Sequence, residues 1–409
     1  MIDINLIREK PESVKKGILS KGYGADLVDE VIRLDSNRRG LIVEIEGLRA
    51  ERNKFAKSKN IEEGKRIKAE LQTKEPALRL VEEEFEVAFG QIPNLPLDSA
   101  PEGESEKENV EIRKWGEIRN FEFEPQDHFE IARTLDLVDF EAGAKVSGSQ
   151  FYYLKGDMVR LEFALMQFGM ELLAEKGYIL MATPDLAKSR YYLGTGYQPK
   201  GEEAQIYEIA DQDLGLIATA EVTMAGYHAD EVIPKKRLPL KYAAVSHCFR
   251  QEAGAYGKYS KGLYRVHQFT KLEMFIYCTP DESPKMHEEI LGIEEEIMQK
   301  LNLPYRVLEM CAGDLGAIAA KKYDIDAWMP GRNEYGEVTS TSNTTDYQAR
   351  NLNIRFRDGD HNEYVHMLNG TAIVGSRVPI AILENYQNED GSVTVPEALR
   401  KWMGKNVIK

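Results

Sequence analysis

The sequence is poor in cysteine and has no long apolar run. Its three cysteines, Cys248, Cys278 and Cys311, have no CxxC or Cys/His spacing, so neither a disulfide framework nor a zinc site is predicted. No stretch of about 18 apolar residues occurs, so no transmembrane helix is predicted. The first residues contain no secretory apolar segment and no Arg- and Ser-rich transit sequence. We therefore expect a cytoplasmic protein with no membrane association and no zinc, in which Cys248 and Cys278 are small buried residues.

The composition is sufficient for a large folded core. The chain has 409 residues, of which 42% are hydrophobic, and its formal net charge is −15. Residues 92–114 are rich in proline, serine and acidic residues, which predicts an exposed linker and a boundary near Ala100 and Pro101. Two domains, 1–100 and 101–409, are the expected result. The chain is predicted to begin with a short strand-like piece followed by a polar helix.

The N-terminal domain has the heptad pattern of a two-helix coiled coil. The apolar residues of the pattern are Leu34, Leu41, Ile45, Leu48 and Phe55, then Ile67, Leu71, Leu78, Val81, Phe85 and Ile92. This spacing predicts an antiparallel helical arm over about residues 28–92, with its turn at residues 60–65 around Gly64. Each helix of about 28 residues would be roughly 42 Å long. Pro76 is expected to interrupt and kink the returning helix.

The distal part of this arm is basic. Residues 38–68 contain ten Lys or Arg and five Asp or Glu, in a chain that is acidic overall. A helical hairpin of this length has an ordinary use as an oligomerisation device. The basic charge instead favours contact with a nucleic acid backbone, with an affinity that falls as salt rises. The candidate contact residues are Arg38, Arg39, Arg49, Arg52, Lys54 and Lys57.

A second pattern predicts an antiparallel β-hairpin. Residues 241–250 and 266–278 are short apolar or alternating stretches typical of strands. Three glycines mark the loop between them. These are Gly254, Gly257 and Gly262. The loop also carries basic residues, so the hairpin joins two strands through a flexible, positively charged turn.

Charged and aromatic side chains are concentrated on this hairpin. Arg250 and Glu252 lie two residues apart and should share a face of the first strand. On the second strand, Phe269, Lys271 and Glu273 should share a face. A solvated strand face with an incidental Arg–Glu pair is the simplest interpretation. A nucleotide site is the alternative, because an arginine can hold phosphate, a glutamate can accept from an adenine amino group, and a phenylalanine can cover the purine.

The hairpin, FRQE to KLEMF, resembles motif 2 of the class II aminoacyl-tRNA synthetases, and four segments resemble the seryl-tRNA synthetase family. These segments are LIATAEV (216–222), KLEMF (271–275), EVTSTSNTTDYQAR (337–350) and NGTAIVGSRVPIAILENYQ (369–387), the last being similar to motif 3. Motif 2 itself would span about residues 241–278. The resemblance covers essentially the whole chain, in the family's order and spacing.

The resemblance implies the residues of the site. The implied serine-binding residues are Thr219, Ala220, Glu221, Glu273, Asn369 and Thr371. The implied ATP-binding residues are Arg250, Gln251, Glu252, Val266, Phe269, Glu337, Val338, Thr339, Ser340 and Arg377. Among these, Arg250, Glu252 and Arg377 are implied to be catalytic. Glu337 and Ser340 are implied to hold Mg²⁺.

Taken singly, several of these residues have plainer interpretations. Thr219 and Glu221 fit an ordinary strand surface. Asn369 and Thr371 fit a helix N-cap before the apolar run that follows them. His267 lies beside the implied adenine site and is expected to serve packing. The order and spacing of the segments favour the functional interpretation for the set as a whole.

Residues 160–184 resemble motif 1, a helix followed by the extended segment ILMATP. In the family this element forms the dimer interface, so a homodimer is implied. Three leucines and one phenylalanine recur at spacings of three and four and form one apolar stripe: Leu161, Leu165, Phe168 and Leu172. Such a stripe fits the core of one subunit as well as a contact between two.

The resemblance implies an α+β fold, with a class II catalytic core on an antiparallel sheet flanked by helices. Core helices are expected at residues 281–301, 344–352 and 379–386. The implied reaction is ATP-dependent activation of L-serine and its transfer to the 3′ end of tRNA(Ser), with tRNA(Sec) as a further candidate. The N-terminal arm would grip the tRNA, commonly across the dimer. A paralogue that loads a carrier protein, and a catalytically inactive dimeric binding module, remain as alternatives.

Overall fold

The computed structural model describes residues 1–57, 60–197, 206–252 and 262–409. It contains two compact units, Met1–Pro96 and Leu97–Lys409. The expected boundary at Ala100 and Pro101 lies just inside the second unit. Gly254 and Gly257 of the predicted loop lie outside the described residues.

The first unit is helical throughout its described elements. Its helices are α1 (Ile4–Glu9), α2 (Pro11–Leu19), α3 (Asp26–Lys57) and α4 (Ile61–Gly90). The strand-like start that was predicted is wrong, because Asp3 caps α1 by accepting a hydrogen bond from the Asn5 amide at 2.8 Å. Pro11 then occupies the first turn of α2, where its missing N–H costs nothing.

Helices α3 and α4 pack along each other as the predicted hairpin. Ile45, Ile67 and Leu71 are buried between them. The helices have 32 and 30 residues, or roughly 48 and 45 Å at the rise of an α-helix. The turn was predicted at residues 60–65, but α4 already begins at Ile61, with Asn60 as its N-cap. The predicted interruption at Pro76 is also wrong, because α4 continues through it.

The second unit combines helices with many strands. Its helices are α5 (His128–Thr134), α6 (Phe140–Ser147), α7 (Asp157–Glu175), α8 (Ser189–Thr195), α9 (Glu221–Gly226), α10 (Ser283–Lys300), α11 (Tyr347–Leu352), α12 (Arg377–Asn385) and α13 (Arg400–Met403). Its strands are β1 (Val110–Trp115), β2 (Val138–Asp139), β3 (Tyr153–Leu154), β4 (Ile179–Ala182), β5 (Leu186–Ala187), β6 (Tyr207–Glu208), β7 (Gly215–Leu216), β8 (Val232–Pro234), β9 (Leu240–Phe249), β10 (Gln268–Cys278), β11 (Tyr305–Glu309), β12 (Lys321–Met329), β13 (Glu334–Asn343), β14 (Arg355–Asp358), β15 (His361–Tyr364), β16 (His366–Val374), β17 (Val393–Thr394) and β18 (Val407–Ile408). The three predicted core helices correspond to α10, α11 and α12.

Eight of these strands form one sheet in the order β1-β11-β12-β13-β16-β10-β9-β4. Neighbouring strands pair antiparallel, except that β4 runs parallel to β9. The predicted antiparallel α+β core is thereby confirmed. The predicted linker is wrong over residues 110–114, which form most of the edge strand β1 and pair with β11.

The predicted hairpin is formed by β9 and β10, which pair from Phe249 and Gln268 onward. Side chains of β10 alternate between the two faces of the sheet. Leu272, Met274 and Ile276 lie in the main hydrophobic core, whereas Lys271 and Glu273 line a cavity on the other face.

A β-bulge separates Leu272 and Glu273 in the pairing with β16. As a result, Glu273 lies opposite Thr371. The plainer prediction of a helix N-cap at Asn369 and Thr371 is wrong, because both lie within β16. Ser376 precedes the helix instead.

Helices α7, α10 and α12 cover the core face of the sheet. The motif 1 stripe belongs to this core, since its four members are at most 6% exposed: Leu161, Leu165, Phe168 and Leu172. Cys248, Cys278 and Cys311 are free and buried, as expected for the first two. Within the described residues, no helix has the length and apolar character needed to cross a membrane.

Candidate active site

A cavity of about 280 Å³ opens on the face of the sheet opposite the helical layer. It brings together most of the predicted site residues. Those that line it are Glu221, Arg250, Glu252, Val266, Phe269, Glu273, Glu337, Val338, Thr339, Ser340, Asn369, Thr371 and Arg377. Thr219, Ala220 and Gln251 do not line it, and their contacts are described below.

Glu221 accepts hydrogen bonds from three side chains at the cavity. Its Oε1 accepts from Gln348 Nε2 at 2.7 Å and from Asn369 Nδ2 at 2.9 Å. Its Oε2 accepts from the Tyr197 hydroxyl at 3.1 Å. The carboxyl is buried, and burial raises its pKa to about 7, with the bond from Gln348 opposing the shift and the charge of Glu273 adding to it. An ionisable acid that titrates near neutrality therefore faces the cavity.

Thr219 and Ala220 hold Glu221 in place and do not face the cavity. The Thr219 hydroxyl accepts from the Glu221 amide at 3.2 Å, which satisfies a donor at the start of α9. Ala220 precedes this helix and is buried in a hydrophobic cluster. The plainer strand interpretation of Thr219 and Glu221 is wrong, because the chain turns into a helix there.

Glu273 forms a buried ion pair with Lys271, two residues earlier on β10. Glu273 Oε2 also accepts from the Thr371 hydroxyl at 3.2 Å across the bulge. Both charged residues are at most 5% exposed, and a buried pair of this kind is stable only when its remaining atoms are satisfied. Two carboxyls, an amide and a hydroxyl, those of Glu221, Glu273, Asn369 and Thr371, thus line the cavity together.

Arg250 also lines the cavity and lies directly after the last residue of β9. Its guanidinium is 5.3 Å from the centre of the Phe269 ring, and its Nε donates to the Ala218 carbonyl at 3.3 Å. Its backbone is also fixed. The Arg250 amide donates to the His267 carbonyl at 3.0 Å, and His267 Nδ1 donates to the Arg250 carbonyl at 2.8 Å. His267 therefore serves packing and backbone support, as expected.

The residues after Arg250 leave the strand. Glu252 has a positive φ of 49°, so the predicted shared strand face of Arg250 and Glu252 is wrong, although both side chains line the cavity. Glu252 Oε2 accepts from Arg265 Nη1 at 3.2 Å. Gln251 points elsewhere, since its Nε2 donates to the Ile206 carbonyl at 2.7 Å.

Arg377 and Glu337 form a charged pair that lines the cavity. Arg377 Nη1 is 2.8 Å from Glu337 Oε1, and its guanidinium lies 4.8 Å from the Tyr264 ring centre. The Tyr264 hydroxyl donates to the Glu337 carbonyl at 3.2 Å. Burial by itself would raise the pKa of Glu337, but the charges of Arg377 and Lys322 outweigh it and hold the pKa below its usual value. Glu337 is thus ionised at neutral pH.

The surroundings of Glu337 fit Mg²⁺ better than a transition metal. Glu337 and Ser340 are hard oxygen donors on β13, and Asp324 of β12 lies opposite Ser340 in register. Mg²⁺ is typically held by one or two carboxylates together with phosphate oxygens and water. Within the described residues, no group of three or more His, Cys, Asp or Glu is arranged to hold a metal ion.

The predicted basic residues of the arm differ in their environment. Arg39, Arg52, Lys54 and Lys57 are exposed on α3. Arg49 is also exposed and pairs with Glu75 at 2.8 Å. Arg38 is half-buried, pairs with Asp35 at 3.0 Å and lies 4.2 Å from the Phe85 ring centre. Arg38 therefore stabilises the hairpin and Arg49 pairs across it, whereas the other four residues present their charge to solvent.

The sequence patterns gave no binding role to several residues of the cavity, although they placed Lys271 on the charged strand face. Tyr197, Tyr264, Lys271, Lys322 and Gln348 either line the cavity or bond to its acids. Tyr264 and Lys271 belong to the hairpin segment already singled out, and Gln348 belongs to EVTSTSNTTDYQAR. The signal that could have identified these three residues is therefore their position within a recognised motif. Nothing in the residue types themselves gives a role to Tyr197 or Lys322.

Comparison with known proteins gives the family. Residues 1–96 match the description "Seryl-tRNA synthetase N-terminal domain", and residues 206–386 match "tRNA synthetase class II core domain (G, H, P, S and T)". The chain is 54% identical to "Serine--tRNA ligase" of Dictyoglomus turgidum, over 100% of this chain and 99% of the relative. This chain belongs to the seryl-tRNA synthetase family. A second relative with the same name, from Rubrobacter xylanophilus, is 53% identical with equal coverage.

A solved structure agrees with this assignment. The seryl-tRNA synthetase from Pyrococcus horikoshii, complexed with ATP, is 41% identical and superposes with a TM-score of 0.94 over 100% of this chain and 99% of that one. The class II fold predicted for this family member is thereby confirmed. Nothing in these relatives favours a carrier-loading enzyme or a catalytically inactive module.

Proposed function

We propose that this family member activates L-serine with ATP and transfers it to the 3′ end of tRNA(Ser). The observation that carries the proposal is one cavity with two kinds of lining. Acids, an amide and a hydroxyl line it around Glu221 and Glu273. Two arginines and an aromatic ring line it as well: Arg250, Arg377 and Phe269. An amino acid and a nucleoside triphosphate require these two kinds of surroundings side by side.

The first step joins a serine carboxylate oxygen to the α-phosphorus of ATP and releases pyrophosphate. Negative charge then develops on phosphoryl oxygens, so Arg250 and Arg377 act by binding and stabilising that charge. No protein nucleophile is needed. Mg²⁺ bound at Glu337 and Ser340 would neutralise further phosphate charge. In the second step a terminal hydroxyl of the tRNA attacks the serine carbonyl and AMP leaves.

The polar lining of the cavity suits serine. Glu221, ionised in part at neutral pH, can hold the ammonium group of the amino acid. Glu273 and Thr371 are bonded to each other at 3.2 Å and offer partners for the serine hydroxyl. A site that pairs with a substrate hydroxyl can reject the analogue lacking it by roughly 10⁴-fold or more. Alanine should therefore bind poorly, because it would leave buried polar groups of the site without a hydrogen-bond partner.

We also propose a homodimer that uses the motif 1 region. Its strand β4 lies at the end of the sheet, and Ile179 and Leu180 of this strand are 56% and 43% exposed. Phe163 of α7 is 64% exposed. An open sheet edge with exposed apolar side chains favours pairing with a second copy.

Light scattering tests the proposed homodimer. The wild-type protein should have twice the mass of one chain, and F163E should have a smaller mass. V232E is the control, because it places the same charge at an exposed site in another part of the structure, and it should keep the wild-type mass.

The proposed activity is tested by pyrophosphate exchange with each amino acid, followed by charging of tRNA(Ser) with and without its long variable arm. We expect exchange with serine alone and charging that requires the variable arm. Exchange without charging would instead support a carrier-loading enzyme. Absence of exchange with every amino acid would overturn the proposal.

Substitution of Arg250 tests the site itself. Arg250→Ala should remain folded and lose roughly 10²–10³-fold in serine-dependent exchange, the usual cost of removing one group that stabilises transition-state charge. Arg190→Ala provides a control, because Arg190 is half exposed and pairs with Asp230 outside the cavity. Near-normal exchange by Arg250→Ala would contradict the assigned role.

A further inference from the structure

A buried imidazole outside the cavity joins three segments, which carry Arg377, Glu337 and Tyr264. His128 is the first residue of α5 and is 5% exposed. Its Nδ1 lies 2.9 Å from Glu384 Oε1, and its main-chain amide donates to the same oxygen at 2.9 Å. His128 does not line the cavity, and none of the steps above uses it.

Glu384 connects this histidine to two of the segments. It lies on α12, the helix that begins with Arg377, and its side chain is fully buried. Its Oε2 accepts from the Gly331 amide at 2.9 Å. Gly331 belongs to the turn between β12 and β13, and β13 carries Glu337. The carboxyl therefore fixes the helix of Arg377 relative to the strand of Glu337.

The opposite edge of the imidazole contacts the third segment, which is the chain that leads into β10. The Leu263 amide donates to His128 Nε2 at 3.3 Å. The contact is close, because a Cβ on Gly262 would lie 2.2 Å from Nε2, and Gly262 has a φ of +78°. Both the space and the backbone conformation require glycine there. The residue after Leu263 is Tyr264, which contacts Arg377 and Glu337.

These partners assign the tautomer of His128. A peptide N–H can only donate, so Nε2 must carry a lone pair to accept from Leu263. The proton of the neutral ring is then on Nδ1, where it donates to the Glu384 carboxylate. Each ring nitrogen thus has one role, and the two roles can be tested separately.

We propose that His128 is a positioning residue for ATP. By accepting from Leu263 through Nε2, it fixes the place at which the chain returns from the motif 2 loop and hence the position of Tyr264 against Arg377 and Glu337. The inference rests on the proposed function, because it assigns the nucleotide to Arg377 and Glu337. The proposed serine partners Glu273 and Thr371 bond to each other and to Lys271, so the effect on ATP should not be shared by serine.

Two substitutions of His128 separate its contacts. H128N keeps a short amide donor near the position of Nδ1 but has no atom near Nε2. H128Q is long enough to place an amide oxygen near Nε2 and accept from Leu263. In serine-dependent pyrophosphate exchange, H128N should raise the KM for ATP roughly tenfold, as expected for one lost hydrogen bond. The KM for serine should stay within about twofold, and H128Q should restore much of the ATP affinity.

A third variant leaves His128 and Glu384 unchanged. G262A should push the returning chain away from Nε2 and produce the same selective rise in the KM for ATP. Thermal unfolding of each variant shows whether it is folded. Folded H128N and G262A with the wild-type KM for ATP, or with equal rises for ATP and serine, would overturn the role of His128. Wild-type protein that lacks exchange with serine would instead overturn the proposed function.

Discussion

At the scale of single residues, the charge of Glu221 should control how serine binds. Its pKa is raised to about 7, mainly by burial and in part by the charge of Glu273. The carboxyl is neutral below this pKa and ionised above it. An ammonium ligand requires the ionised form, so the KM for serine should fall as the pH rises from about 6 to about 8.

The variant Glu221→Gln tests this dependence, because it keeps the shape of the side chain and removes its titration. We expect a higher KM for serine and a flat profile over the same range. The KM for ATP, measured in parallel, serves as the control and should change little. A profile that persists unchanged in Glu221→Gln would show that another group titrates.

Several of these residue-level features could be predicted from the sequence, and others could not. Glu221, Arg250 and Arg377 belong to short motifs whose residue types and order are distinctive. Tyr197 and Gln348 bond to Glu221 from distant positions in the chain, Gln348 from 127 residues away. Such contacts depend on the fold and leave no local pattern. The turn after Arg250 was missed because the positive φ of Glu252 has no glycine to mark it.

At the scale of elements, helix α10 contains a buried acid beneath the catalytic strands. Glu294 is fully buried, and its Oε2 accepts from the Thr339 hydroxyl at 3.3 Å. Across the described chain its Oε1 has no hydrogen-bond partner. This oxygen would be 2.8 Å from a Cβ on Gly370, so the glycine between Asn369 and Thr371 allows the helix to approach the sheet.

Burial raises the pKa of Glu294 well above its usual value, and the charge of Glu273 raises it further. The folded protein therefore keeps a proton that the unfolded chain releases above its own pKa of about 4.3. This contribution to stability is fully present below the unfolded pKa and is lost as the pH rises towards the folded pKa. The loss should be about 1.4 kcal/mol for each pH unit between the two values.

The variant Glu294→Gln removes this titration while keeping nearly the same volume. Its stability relative to wild type should improve steadily as chemical denaturation is repeated from pH 5 to pH 8. Glu288→Gln, on the exposed side of the same helix, is the matched control and should show no such trend. A constant difference between Glu294→Gln and wild type would contradict a retained proton.

Element positions were predictable where apolar spacing is regular. The heptad spacing predicted the helical arm, and the alternation of side chains around Glu273 predicted the β-hairpin. The spacing of Ile290, Ile293 and Ile297 places Glu294 on the buried side of α10, but three glutamates in succession obscure that signal. Strand β1 was missed because half of its side chains are charged and all except Trp115 are exposed, and only pairing with β11 makes it a strand.

At the scale of the whole molecule, charge is distributed unevenly along the chain. The protein carries a formal net charge of −15, yet α3 ends in exposed cations at Arg52, Lys54 and Lys57. An acidic protein repels tRNA in general, and a basic arm confines attraction to one part of the surface. The arm and the cavity should therefore contribute separately, the first to tRNA binding and the second to activation of serine.

The triple variant R52A/K54A/K57A tests this separation. Each cation that neutralises a phosphate adds somewhat less than one to the slope of log affinity against log salt, so the variant should bind tRNA(Ser) more weakly and reduce that slope by about 2 to 3. Pyrophosphate exchange should be unchanged, because it requires no tRNA. The charge-preserving variant R52K/K54R/K57R is the matched control and should keep the wild-type slope. If the alanine variant kept that slope as well, these three residues would not contact phosphate, and the basic arm would act in the fold or in oligomerisation alone.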